Sequence, residues 1–208
     1  MVDEHGGAAG APVSGTSSTA PTRPSREQLA AAEGKGVRDV IGRGLVVLFC
    51  GVNPSLWSAA VGHHFAHPSN RFWKILHRAG FTDHRLAPGD DRELLGAGLG
   101  VTNLVNRATR RAAGLATDEL RAGVPTLERK VRRYRPAFVA ILGVSAYRLG
   151  FGHPSAVVGP QPHPIAQSGL WVLPNPSGLQ AQYQDDAMVG AFRALRDAAR
   201  QATDRTGA

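Results

Sequence analysis

Three stretches of this chain are continuously apolar, Leu45–Cys50, Phe138–Leu142 and Leu170–Leu173, and Gly100–Val105 is a weaker fourth. Runs this short that do not alternate with polar residues read as strands covered on both faces. Helical spacing falls between them. Asn70–Ala79 places Phe72, Trp73, Ile75, Leu76 and Ala79 at core spacing and stops at Gly80. Pro125–Tyr134 has Pro in its first turn, puts Leu127, Val131 and Tyr134 on one face and meets Pro136 just beyond. Asp185–Gln201 separates Met188, Phe192, Leu195 and Ala199 from Arg193, Arg196 and Arg200. Asp90–Leu95 and Ser145–Leu149 predict shorter helices. This alternation predicts an α/β fold: a three-layer α/β/α sandwich around a short, mainly parallel central sheet.

The first 36 residues break the pattern. They are rich in Gly, Ala, Ser, Thr and Pro and hold few large apolar side chains. Such a segment cannot bury enough surface to offset its ordering entropy. Residues 1–36 are therefore expected to be a disordered tail, and 37–208 the folded domain. Within the tail, Ser25 and Gln28 have capping-box spacing, which predicts a short transient helix over Ser25–Glu33.

Composition narrows the class. A chain of 208 residues is long enough to bury a core without staples. Cys50 is the only cysteine, which rules out intramolecular disulfides, zinc ribbons and four-cysteine clusters. No apolar run approaches the ~20 residues of a membrane span, and the first residues do not read as a secretory signal. A cytosolic, monomeric protein is expected. The formal net charge is +8, with 24 basic residues of which 21 are Arg. The first 36 residues carry a net −1, so the remainder carries +9. A polyanionic partner fits that balance, though an arginine bias across the whole chain weakens the inference.

Parallel sheets place their sites at the carboxyl ends of strands. Two predicted strands run into similar loops there, Gly51-Val52-Asn53-Pro54-Ser55 and Pro174-Asn175-Pro176-Ser177-Gly178. In each, the Pro keeps the preceding Asn out of helix. The loops are either ordinary turns or two walls of one cleft. The first continues through His63, His64 and His67 towards the helix at Phe72. Those histidines invite a metal, but no carboxylate lies near them in sequence. No metal and no cofactor are expected. Two basic clusters follow, Arg107, Arg110 and Arg111, then Arg129–Arg135; the first suits phosphate contact, and the second reads as the solvated face of a helix.

Four segments in order, GVNPSLWSA, GHHFAHPSNRFWKIL, GVTNLVNRAT and LPNPSGL, resemble the mismatch-specific uracil/thymine-DNA glycosylases, the Mug/TDG branch of the uracil-DNA glycosylase superfamily. The resemblance runs from about Val37 to about Arg200. It implies a uracil-DNA glycosylase-like fold and a monofunctional enzyme that flips a base out of duplex DNA and hydrolyses its N-glycosidic bond. The expected partner is duplex DNA carrying G·U or related mismatches. The product is an abasic site, passed to downstream repair enzymes.

The resemblance also implies roles. Asn53 matches the residue that positions the attacking water, a very poor base, so catalysis rests on a cation-like sugar and a stabilised base anion. Phe65 matches the aromatic that stacks on the flipped base, with the Val52 and Phe65 N–H groups as donors to its carbonyls. Asn103 is able to read N3–H and O4 of uracil together, and Asn175 contacts the base or sugar. Ser58 resembles the uracil-preferring type and His64 the thymine-processing type, so the two point to different bases. Leu179 matches the wedge that fills the vacated stack. Ser177, Gly178 and Gln180 lie beside it against the opposing guanine. Where a bacterial relative continues Ser-Arg, this chain has Gln180-Ala181. Ser69, Arg107, Arg110 and Arg111 are the expected phosphate contacts. Without a Lys in the motifs that hold Asn53, Asn103 and Asn175, no Schiff-base lyase step is expected. Two readings stay open beside this one: a non-catalytic reader of damaged DNA, and a metal-dependent nucleotide hydrolase using the histidines.

Overall fold

The computed structural model describes residues 23–110, 114–178 and 183–206. Its order is α1 (Arg26–Ala31), β1 (Val47–Gly51), α2 (Leu56–Val61), α3 (Phe72–Arg78), a 3-10 segment (Pro88–Ala97), β2 (Leu99–Asn103), α4 (Thr117–Tyr134), β3 (Phe138–Leu142), α5 (Val144–Phe151), β4 (Gly159–Pro160), β5 (Gly169–Leu173) and α6 (Asp185–Thr206). The sheet runs β2-β1-β3-β5-β4. It is parallel except for β4, which pairs antiparallel with β5.

The apolar runs are continuous because the sheet has a core on each face. Val47, Phe49, Ala140, Leu142, Trp171 and Leu173 pack with α3 and α6. Their neighbours Leu48, Cys50, Val139, Ile141, Leu170 and Val172 point the other way, onto α4 and α5. This is the expected three-layer α/β/α sandwich. Burial pushes the Cys50 thiol up to about 12, which leaves it an inert core group.

Three expectations are corrected. Residues 23–36 are not a tail. The Ser25–Gln28 capping box forms on α1, Ala32 is buried, and Gly34 and Lys35 exchange backbone hydrogen bonds with Ala108 at 3.0 and 2.8 Å. Backbone pairing holds this segment, and composition carries no trace of it. Residues 1–22 lie outside the described residues. Next, α4 begins at Thr117, not Pro125. Asp118 and Glu119 occupy its first turn, and the Glu119 carboxylate accepts from the Ala116 N–H at 2.9 Å. Pro125 is on the exposed face, where water can reach the Arg121 carbonyl that loses its helical partner. Finally, the loop after β1 contains α2, capped by the Ser55 hydroxyl on the Ser58 N–H.

Candidate active site

The carboxyl ends of β1, β2, β3 and β5 surround a cleft of about 360 Å³. Both Asn-Pro-Ser loops border it, and the second packs against the segment after α2. The Arg71 N–H donates to the Pro176 carbonyl at 2.9 Å. A Cβ on Gly178 would stand 2.6 Å from the Ser69 carbonyl oxygen, so only glycine permits this approach.

Asn53 enters the cleft just past β1. Its Nδ2 donates to the Arg107 carbonyl at 3.0 Å and to the Thr109 hydroxyl at 2.8 Å. A carbonyl oxygen only accepts, so the amide nitrogen must face it. Both N–H groups are thus engaged, and Oδ1 is left to accept a hydrogen bond from whatever occupies the cleft. The loop after β2 supplies this clamp by running beside the loop after β1: the Leu104 and Val105 N–H groups donate to the Gly51 and Val52 carbonyls.

Asn103 is buried at the end of β2 and pairs with Gly51 across the ladder. Its Oδ1 lies over the bare Gly51 Cα; a Cβ there would be 2.7 Å away. Its Nδ2 faces His64 Nδ1 at 3.5 Å. The His64 Nε2–H donates to the Arg38 carbonyl at 3.0 Å. Burial lowers the His64 pKa, so the ring is neutral and Nδ1 is an acceptor. Beneath it, Asp39 takes Lys130 at 2.6 Å and the Thr102 hydroxyl at 2.8 Å, tying the 38–39 segment to β2 and α4.

Phe65 projects from a residue with φ of +53°, a strained backbone for a side chain of this size. Its ring stacks on Phe72 with centroids 4.1 Å apart. Three ties hold that loop. The buried Ser58 hydroxyl accepts from the Ala66 N–H at 3.1 Å. His63 pairs with Asp91 at 3.1 Å. The Trp73 indole N–H donates to the His64 carbonyl.

Of the residues singled out from sequence, Val52, Asn53, Ser58, His64, Phe65, Ser69, Asn103, Arg110, Asn175, Ser177 and Gly178 all line the cleft. Asn175 spends its Oδ1 on the Ser177 N–H, shaping the turn. The Arg107 guanidinium is not brought there. It is bound to Glu119 at 2.7 and 2.9 Å, and this residue reaches the cleft through its carbonyl. Arg111, Leu179 and Gln180 lie outside the described residues. The three histidines do not converge: His63 goes to Asp91, His64 to Arg38 and Asn103, and His67 to Ser69. Sequence reasoning missed Gly51, Thr109 and the Asp39–Lys130–Thr102 group. Thr109 stands inside one of the quoted motifs, but nothing in that motif says its hydroxyl faces Asn53.

No Asp, Glu or Lys lines the cleft among the described residues. It can hold a flat heterocycle between an aromatic face and a carboxamide, with a water against Asn53, and it has no carboxylate base. The sequence model of the uracil DNA glycosylase superfamily matches residues 39–197, well over half the chain and every motif around this cleft. The chain belongs to the uracil DNA glycosylase superfamily. As a member it falls among the DNA glycosylases, hydrolases that act on DNA. The fold is also similar to the solution NMR structure of a Methanosarcina acetivorans protein provisionally named a uracil DNA glycosylase. The two share 18% identity over 78% of this chain and 98% of that one, at a TM-score of 0.48. Among the described residues, no helix of this uracil DNA glycosylase superfamily member is long and apolar enough to cross a membrane.

Proposed function

We propose that this protein is a monofunctional, mismatch-specific glycosylase that excises uracil opposite guanine from duplex DNA and leaves an abasic site for base excision repair. Thymine and modified pyrimidines are the secondary substrates the motifs point to. The observation that carries the reading is the pair of immobilised carboxamides. Asn53 has its N–H side clamped by Arg107 and Thr109, and Asn103 has its N–H side turned to His64.

Each orientation has a chemical consequence. With Nδ2 next to the His64 lone pair, Asn103 presents Oδ1 as acceptor and its second N–H as donor. Uracil offers N3–H and O4 in the complementary sense, and cytosine offers the reverse. Turning the carboxamide over to suit cytosine would set Oδ1 against the Nδ1 lone pair. At Asn53, Oδ1 orients a water towards C1′ of the flipped nucleotide without deprotonating it. The sugar must therefore develop cationic character before the water adds, and N–H groups around the base stabilise the leaving anion. Phe65 supplies stacking area. Ser69 and the exposed Arg110 at the mouth suit phosphates, while Ser177, Gly178, Leu179 and Gln180 are assigned to the opposing strand.

The test is single-turnover incubation with labelled duplexes carrying G·U, A·U and G·T, followed by alkali. Alkali-labile sites in G·U that vanish in Asn53→Ala are expected. Tight binding without abasic product would replace the glycosylase with a reader of damage. Loss of activity on chelation would replace it with a metal-dependent hydrolase.

A further inference from the structure

The pole of the sheet opposite the cleft brings together three segments, two of which carry arginines. Arg43 and Gly44 precede β1, Arg132–Arg135 end α4, and Ala166 and Gln167 precede β5. Arg43, Arg132, Arg133 and Arg135 are exposed and surround one hollow of about 380 Å³ with Tyr134. Arg132 and Arg135 continue into a second hollow beside Ala166 and Gln167. One acid answers this group: Glu128 takes Arg132 at 2.6 Å. Arg133 lies over the Tyr134 ring at 5.4 Å. Among the described residues, the guanidinium groups of Arg43, Arg133 and Arg135 have no carboxylate partner.

Arginines at a helix end often serve the helix itself, by capping its last carbonyls. Here the Val131 carbonyl is served by other groups. The Val131 carbonyl receives the Arg135 backbone N–H at 2.8 Å and the Gln167 side-chain amide at 3.0 Å. The guanidinium forks are left facing the hollow, where they repel one another unless an anion lies between them. Large aliphatic side chains that would form the core of a protein interface are missing from both hollows: the exposed large hydrophobics of the described chain, Leu95, Leu149 and Val157, line neither. Forked donors without an apolar centre suit the phosphate oxygens of a nucleic-acid backbone.

We propose that this pole is a second contact for a DNA backbone, so that one copy of the protein holds two duplex segments. The inference rests on the proposed function only in taking the cleft to hold DNA. Five-residue strands separate the two ends by roughly 17 Å before the loops are added. A straight duplex seated at the cleft does not reach the opposite pole. The second segment is then bound through phosphates alone, without regard to sequence or damage.

The experiment uses the full chain and a triple variant, Arg43→Gln, Arg133→Gln and Arg135→Asn; Asn suits the left-handed φ of +51° at that last position. Protein is loaded on an immobilised G·U duplex, and a fluorescent undamaged duplex is added over a series of salt concentrations. The expected result is retention by wild type and at least tenfold less by the variant, with single-turnover excision unchanged. In solution, undamaged duplex should bind wild type at two segments per protein and the variant at one. Retention by the variant equal to wild type, no retention by wild type, or an equal loss of excision in the variant would each overturn the proposal. If the cleft reading alone is wrong, excision fails in both proteins while the difference in binding undamaged duplex persists.

Discussion

Replacing Thr109 with Val tests the clamp on Asn53 without touching Asn53. The exchange keeps the shape of a nearly buried side chain and removes the oxygen that accepts from Nδ2 at 2.8 Å. One hold on the carboxamide remains, the Arg107 carbonyl at 3.0 Å. A neutral hydrogen bond of this kind is worth about 1 kcal/mol net. If that energy serves to orient Oδ1 towards the water, excision of uracil from G·U under single-turnover conditions should slow roughly fivefold to tenfold. Asn53→Ala removes the positioning group outright and should cost about a hundredfold or more. Duplex affinity should not change, because Thr109 faces Asn53 rather than a phosphate. The loss should be equal from about pH 7 to 9, since no carboxylate or lysine lines the cleft among the described residues. A Thr109→Val rate within twofold of wild type, beside a crippled Asn53→Ala, would refute the clamp: Asn53 would then act by some means other than a fixed orientation.

Other positions make their own predictions. Gly51→Ala puts a Cβ 2.7 Å from Asn103 Oδ1 and 3.2 Å from the Phe65 ring; overpacking of this kind costs about 1–3 kcal/mol. It should weaken capture of uracil strongly while a thermal melt still shows a folded protein. Ser58→Ala leaves the buried Ala66 N–H without its acceptor, a loss of about 1–3 kcal/mol in denaturant titrations, with slower excision as the Phe65 loop loosens. For His64, burial holds the folded pKa below the ordinary 6.5. As pH falls through 6.5 the unfolded chain takes the proton first, so stability declines from there until the folded pKa is reached. His64→Gln should remove that decline; parallel wild-type and variant melting curves between pH 8 and 5 would contradict it.

Much of the fold was legible because strand and helix patterns are local. Phe138–Leu142 is β3 to the residue, and the other three predicted strands fall within two residues of those found. Helices α3, α5 and α6 were found with shifted ends. The two-residue β4 has too few positions to show a period. Helix α2 was hidden by an Asn-Pro turn signal directly before it. Pro125 misled for a related reason. Its rule concerns a missing N–H, and whether the freed carbonyl finds water depends on which face of the helix is exposed. The 23–36 segment is held by backbone pairing with Ala108, an interaction any composition permits.

The sequence by itself determined the layer architecture, the end of the sheet that carries the site, and the residue types available for chemistry there. Apolar periodicity and the two Asn-Pro-Ser loops suffice for that, because each is written in consecutive residues. Tertiary structure alone decided which way those groups face. Asn53 is oriented by a carbonyl and a hydroxyl more than fifty residues away, and Asn103 by a histidine whose tautomer is set by the Arg38 carbonyl. It decided as well that Arg107 belongs to Glu119, while Arg43 joins Arg133 and Arg135 at the far pole. Hydrogen bonds and charge pairs act over a few ångströms between residues distant in sequence, so residue type names a capacity and only the folded neighbourhood assigns its use.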